Sequence, residues 1–152
     1  MSLHGVRRAD TADLASWMAM RLTLWPDADD TVDALLAQLE EDDQLVLLAF
    51  DADGQAIGFA EATLRHDYVN GTESSPVGFL EGLYVVPAAR RSGVGRALVD
   101  AVERWTRERE CQELASDALI DNIASHAAHA AYGFEETERV VYFRKAVRGA
   151  AR

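Results

Sequence analysis

Two short stretches hold residues whose types and spacing can do chemistry. In PAARRSGVGRAL, at 87 to 98, Arg90, Arg91 and Arg96 surround Gly93 and Gly95. The stretch follows the apolar run FLEGLYVV and leads into Val94, Leu98, Ala101, Val102 and Trp105 at helical spacing, so it reads as a turn from a strand into a helix. The unpaired N–H groups of a first helical turn bind anions, the glycines allow close approach, and the arginines add charge. Phosphate is the expected guest. The second feature is Glu81, a carboxylate set among the apolar residues of that strand. Such a group is either solvated or paired at a strand end, or accepts a proton from a substrate ammonium through water. An ordinary glutamate pKa of about 4.3 lies far below that of an alkyl ammonium, so binding is expected of it as much as proton removal.

Other chemistries lack their residues. A Walker loop needs G-x-x-x-x-G-K-[ST], and the lysine and hydroxyl are missing after Arg91-Ser92-Gly93. A dinucleotide fingerprint needs a third glycine near the start of a βαβ unit, whereas Gly93-Val94-Gly95 stands alone two-thirds of the way along. Cys111 is the sole cysteine, which excludes an internal disulfide and a thiolate zinc cluster; CQELASD reads as the start of a buried strand with an inert thiol. His126 and His129 lack the further ligands of a zinc site, so no metal is expected.

The elements that must position these groups are legible from periodicity. Leu14, Trp17, Met18, Arg21 and Leu24 form one helical stripe, capped at Thr11 and ended at Trp25-Pro26; Val32, Leu35, Leu36 and Leu39 form a second. These two helices are expected to precede the sheet. QLVLLAFDADGQAIGFAEATLR predicts an antiparallel hairpin turning at Asp53-Gly54. HDYVNGTESSPVG, at 66 to 78, is a long polar loop of the kind that carries function. FLEGLYVV predicts a central strand, QELASDAL a fifth strand, residues 122 to 132 a short helix, and FEETERVVYFRKAV a terminal β segment. Helices interleaved with strands of mixed direction predict a three-layer α/β domain with a mixed sheet, over residues 1 to 148, with 149 to 152 a disordered tail.

Composition narrows the partners. With 26 acidic and 15 basic side chains and a net charge of −11, the surface repels nucleic acid and favours cationic ligands. No apolar run approaches the roughly 20 residues of a membrane span, and the start lacks a signal-peptide core. A soluble, cytoplasmic protein is expected, with no membrane or nucleic-acid partner.

Arg90-Arg91-Ser92-Gly93-Val94-Gly95, with its preceding strand and following helix, resembles the [Q/R]-x-x-G-x-[G/A] loop of the GCN5-related N-acetyltransferases. The resemblance implies a three-layer α/β/α fold with a splayed sheet, and a loop from Arg90 to Arg96 whose amides hold the pyrophosphate of acetyl-coenzyme A. It also implies coenzyme contacts at Leu83, Tyr84, Val85 and Val86, where the sheet splays. Backbone amides at the end of the strand, from Val85 or Val86, are the natural oxyanion donors. Residues 122 to 134 resemble the family's N-x-x-A-x-x-x-Y-x-x-x-G-F helix, keeping Asn122, which the resemblance implies as a further coenzyme contact, and Gly133-Phe134; His129 stands in place of the tyrosine that serves as general acid. His129 either takes that role or is a polar helix residue. LWP, RHDYVNG, SSPVGFLEG, ASD and HAAYGFEETERVVYFRK further resemble the bacterial aminoglycoside 6′-N-acetyltransferases. That branch implies acetyl transfer to the 6′-amine of an antibiotic, with resistance as the outcome, and often a homodimer. It implies Glu81 and Asp117 as amine-handling residues, and Trp25, Asp67, Tyr68, Glu73 and Asp121 as contacts to a polycationic acceptor. Asp117 alternatively caps the following turn. Another amine acceptor, or a non-catalytic coenzyme sensor, are the competing readings.

Overall fold

A computed structural model describes residues 1 to 149. Of the tail expected at 149 to 152, residues 150 to 152 lie outside the described residues. Five strands form one sheet in the order β1 (Gly5–Arg8), β2 (Gln44–Phe50), β3 (Ala56–Arg65), β4 (Val77–Val85) and β5 (Leu114–Ser116). The first four are antiparallel in sequence, and β5 runs parallel to β4. The chain therefore enters on an edge strand, against the expectation that helices come first. β1 is four residues long and carries Arg7 and Arg8, too short and too charged to show a strand pattern.

Helix α1 (Leu14–Leu24) begins after a short 3-10 turn that is capped by Asp10 rather than Thr11. Asp10 accepts from Ala12 N–H while Asp13 accepts from Asp10 N–H, a reciprocal capping box. The helix stops at Trp25, ahead of Pro26, as the sequence predicts. Thr31 caps α2 (Val32–Glu40) through Ala34 N–H. Between β2 and β3 the Asp51 carboxylate accepts from Asp53 and Gln55 N–H, and Gly54 takes a φ of +80°, closing the hairpin where the sequence places it. α3 (Val94–Glu108) buries Val94, Leu98, Val99, Val102 and Trp105. α4 (Ile123–Ala131) starts on Asn122 and ends at Gly133, whose φ is +93°.

The helices divide between the two faces. Trp17, Met20 and Leu35 pack with Val46, Leu48 and Phe59 on one side. α3 packs with Leu45, Leu47, Ala49, Ile57, Ala60 and Leu80 on the other. Each face buries its own alternating set of β2 residues, which gives the three layers predicted.

Two expectations about strands are corrected. β5 is only three residues long, and Cys111 lies before it, half-buried against the core. Burial pushes its thiol pKa up, against the pull of Arg109. The terminal segment is not a strand: residues 135 to 149 carry no strand or helix and all are exposed, with Val141 at 75%, Tyr142 at 81% and Phe143 at 92%. Among the described residues its apolar β pattern pairs with no strand.

Candidate active site

The site grows from a fault in the pairing of β3 with β4. Glu61 stands opposite Gly82, but the next residue, Ala62, stands opposite Leu80, so Glu81 is the extra residue of a β-bulge. A bulge re-aims its side chain and bends its strand. Glu81 thereby reaches Thr63, whose hydroxyl donates to Oε2 at 2.6 Å, and Arg65, whose guanidinium donates to both carboxylate oxygens at 2.9 Å. Arg65 in turn lies 3.5 Å over the ring of Phe79. Glu81 is thus paired in the free protein, and only partly withdrawn from water.

A cleft of about 370 Å³ opens beside it, lined by Trp25, Arg21, Asp30, Gln38, Glu61 and Thr63 among others. Of the residues expected to bind an acceptor, Trp25 and Glu81 line this cleft. Asp67, Tyr68, Glu73, Asp117 and Asp121 do not; all five are exposed, and Tyr68 is 74% so. Asp117 makes no capping hydrogen bond, so its turn-cap reading is not met. The loop carrying Asp67, Tyr68 and Glu73 is nonetheless tied down, since Glu113 accepts from Glu73 N–H at 2.9 Å and from the Ser74 hydroxyl. Those bonds, Ser74 foremost, hold the Glu113 carboxyl below its usual pKa.

Sequence reasoning missed Glu61, although its signal matches that of Glu81: one carboxylate inside GFAEATLR. Glu61 is 4% exposed and accepts from Trp17 Nε1 at 3.1 Å, Arg21 Nε at 2.8 Å and Gln38 Nε2 at 2.7 Å. Arg21 also donates to Asp30 at 2.5 Å. Burial opposes the Arg21 charge, but the bonds to Glu61 and Asp30 outweigh it, and the guanidinium is held above its ordinary pKa.

On the other side of Glu81, β4 and β5 part. They pair only from Gly78 to Leu80, opposite Leu114 to Ser116, so β4 beyond Leu80 has no neighbour on that edge. Val86 N–H donates to Ile57 at 2.9 Å. Alternation along an antiparallel strand then turns the amides of Leu83 and Val85 to the open edge. Val86 is therefore spent as an oxyanion donor; Val85 is available, and so is Leu83.

The glycine turn follows directly. Gly93 is the residue before α3, with φ +86° and open space where a side chain would stand, and no side chain caps the first turn of the helix. Arg91 shares the left-handed region at φ 63°, uncommon for a residue with a Cβ. Ser92 donates to Ala89 C=O, bracing the turn at 2.5 Å, and Arg90 Nε donates to Val85 C=O at 2.8 Å. Two positions expected in the coenzyme site have other partners. Arg96 donates to Ala131 C=O at the end of α4, and the Asn122 side chain accepts from Ser125 N–H at its start. Gly95 faces the Tyr132 ring so closely that a Cβ would collide with its hydroxyl, so this glycine is needed for helix packing as well as for any ligand.

His129 bridges α4 and β5. Its Nδ1 lies 2.7 Å from Ser125 C=O, which only accepts, so Nδ1–H donates there, and Nε2 is hydrogen-bonded with Ser116 Oγ at 2.7 Å. Among the described residues, no group of three His, Cys, Asp or Glu side chains is placed to hold a metal.

An open strand edge with free amides, a glycine turn offering uncapped N–H groups and a carboxylate cleft thus meet around β4. The family model for the Acetyltransferase (GNAT) family matches residues 11–134, and the chain belongs to that family. The chain is 60% identical over 139 residues to an aminoglycoside N(6′)-acetyltransferase type 1 of Stenotrophomonas maltophilia, covering 91% of each. It is 50% identical to the enzyme of that name from Acinetobacter baumannii, over 88% of this chain and 92% of that one. Among solved structures it superposes on an aminoglycoside 6′-N-acetyltransferase from Acinetobacter haemolyticus with a TM-score of 0.88 at 48% identity, covering 94% and 99% of the two chains. AAC(6′)-Iy in complex with the bisubstrate analog CoA-S-monomethyl-acetylneamine gives a TM-score of 0.86 at 46% identity, covering 94% and 98%.

Proposed function

We propose that this protein transfers the acetyl group of acetyl-coenzyme A to the 6′-amino group of aminoglycosides, by direct attack of the amine in a ternary complex. The observation that carries this reading is Glu81, set by the bulge between a cleft rich in carboxylates and the open edge of β4. Relatives named for this reaction, matched over nine-tenths of the chain, support the acceptor. The coenzyme, when bound, supplies the thioester and the leaving thiolate.

Glu81 holds the substrate ammonium and takes its proton through water. The acceptor competes with Arg65 for this carboxylate, so binding begins with an exchange of one cation for another. The amides of Leu83 and Val85 donate to the oxyanion, and the N–H groups after Gly93 hold the pyrophosphate, with Arg90 and Arg91 supplying charge. A coenzyme thiol, with a pKa of about 8.5 by analogy with cysteine, leaves without an acid. His129 then serves by fixing α4 on β5. Asp67, Tyr68, Glu73, Asp117 and Asp121 form an outer acidic and aromatic rim that a polycation meets after the cleft. Their long-range attraction predicts affinity that falls with salt.

The chain works as a cytoplasmic homodimer in which the exposed apolar segment around Tyr142 and Phe143 pairs with a second copy. Sedimentation of Tyr142→Asp against the unaltered chain tests this; an unchanged dimer, or a monomeric unaltered chain, refutes it. The activity is tested by thiol release from acetyl-coenzyme A with paired aminoglycosides bearing an amine or a hydroxyl at the 6′ position. Turnover of the amine alone is expected, with a loss of about 10²-fold or more in Glu81→Gln. Turnover of diamines or peptides instead would move the acceptor to another amine, and no turnover at all would leave a coenzyme sensor.

A further inference from the structure

Resting on the reading of the cleft as the acceptor site, we propose that Arg21, anchored on the buried Glu61, is a positioning residue that fixes the Trp25 indole as the wall of that cleft.

A carboxylate buried in a central strand needs a reason. A buried ion pair is weak evidence for stability, because well-packed apolar residues in its place often serve the fold as well or better. Apolar residues would hold α1 on the sheet, but they would not aim a planar fork. Arg21 is aimed from both ends: Nε donates to Glu61 at 2.8 Å and Nη1 to Asp30 at 2.5 Å, across the mouth of the α1–α2 connection. Glu61 itself is fixed by Trp17 and Gln38, one from each helix. So held, the guanidinium carbon lies 4.9 Å over the Trp25 ring.

Trp25 depends on such support because it has left the helix, at φ −125° and ψ 80°. Its ring meets Phe59 edge-on at 6.2 Å, and its outer edge rests on Gly82, the residue next to Glu81. Arg21 covers the ring from the remaining side. The distance from indole to carboxylate, which an acceptor sugar must span, is thereby tied to Glu61, a strand residue that is almost wholly buried.

The experiment compares Arg21→Lys, which keeps the charge but loses the fork, with Asp30→Asn, which cuts the exposed arm and leaves the buried pair intact. At saturating acetyl-coenzyme A, Arg21→Lys is expected to raise the aminoglycoside KM about ten-fold, and Asp30→Asn about three-fold, with kcat and the coenzyme KM within two-fold. In a Trp25→Ala background neither should add a further loss, because they act through the ring. If Arg21→Lys does not fold, Asp30→Asn carries the test. Ring position is also read without acceptor, by 19F spectra of the 5-fluorotryptophan protein with the Trp25 resonance assigned by Trp25→Phe. That resonance should shift or broaden in both variants while that of Trp105 stays. An unmoved Trp25 resonance, an unchanged acceptor KM, a fall in Tm alone, or losses that multiply with Trp25→Ala would each overturn the proposal. A wild-type protein that acetylates no aminoglycoside would instead overturn the reading of the cleft, and the fluorine spectra would still decide on Arg21.

Discussion

Replacing Gly82 with alanine should damage the acceptor side of the reaction and spare the coenzyme side. The added Cβ would stand 2.5 Å from both Cη2 and Cζ2 of Trp25 and 3.3 Å from Leu24 Cδ2. Carbon pairs settle at about 3.5–4.0 Å, so the indole edge must retreat by about 1 Å. Gly82 does not have a left-handed backbone, so alanine brings no conformational strain and the effect is steric. Overpacking of this kind costs about 1–3 kcal/mol, which for a domain of this size lowers Tm by about 2–4 °C for each kcal/mol. A displacement of about 1 Å at a positioning wall costs up to about 10²-fold in rate. The expected result is a kcat/KM for aminoglycoside reduced about ten- to a hundred-fold, an unchanged KM for acetyl-coenzyme A, and a lowered melting temperature by calorimetry. Truncating Trp25 removes the obstacle, so the double variant should be no less stable than Trp25→Ala alone. Wild-type acceptor kinetics in Gly82→Ala, or a stability loss that persists without the indole, would refute the contact as the cause.

Further expectations follow from the charged groups. Arg65→Gln removes the competing cation from Glu81; an exposed pair is worth up to about 1 kcal/mol, so acceptor KM at low salt should fall about two- to five-fold, and a rise would mean that Arg65 aims the carboxylate instead. Arg7 donates to both oxygens of Asp13 at 2.7 and 3.0 Å and holds that carboxyl below its usual pKa. Its stabilisation is full above the unfolded value of about 3.9 and is lost as pH falls through the folded one. Asp13→Asn should therefore cost about 1 kcal/mol at pH 7, with the gap to wild type closing below about pH 4 in urea titrations; a constant gap would rule the pair out. Glu113→Ala removes the carboxylate to which Glu73 N–H and the Ser74 hydroxyl of the 66–76 loop donate, and acceptor KM should rise while melting temperature barely moves; equal kinetics would detach that loop from acceptor binding.

Local signals carried most of the fold. Helical stripes, Trp25-Pro26, Asp53-Gly54 and the strand-glycine-helix unit each depend on residues close in sequence, and each lies where it was expected. What failed depends on partners far along the chain. FEETERVVYFRKAV alternates like a strand, but a strand needs a neighbour, and pattern does not supply one. The bond from Arg96 to Ala131 C=O, between residues 35 apart, was equally invisible in the local pattern. In the cleft, Glu81 was legible because a lone carboxylate in an apolar run is rare, and Glu61 offered the same sign unread. Arg65 was invisible as its partner because the bulge, which sets the pairing, leaves no mark in the order of residues.

Neither apolar cluster contains a residue beyond Phe134. Among the described residues the apolar core is therefore complete by Phe134, and the exposed side chains of Val141, Tyr142 and Phe143 can change with little effect on its stability.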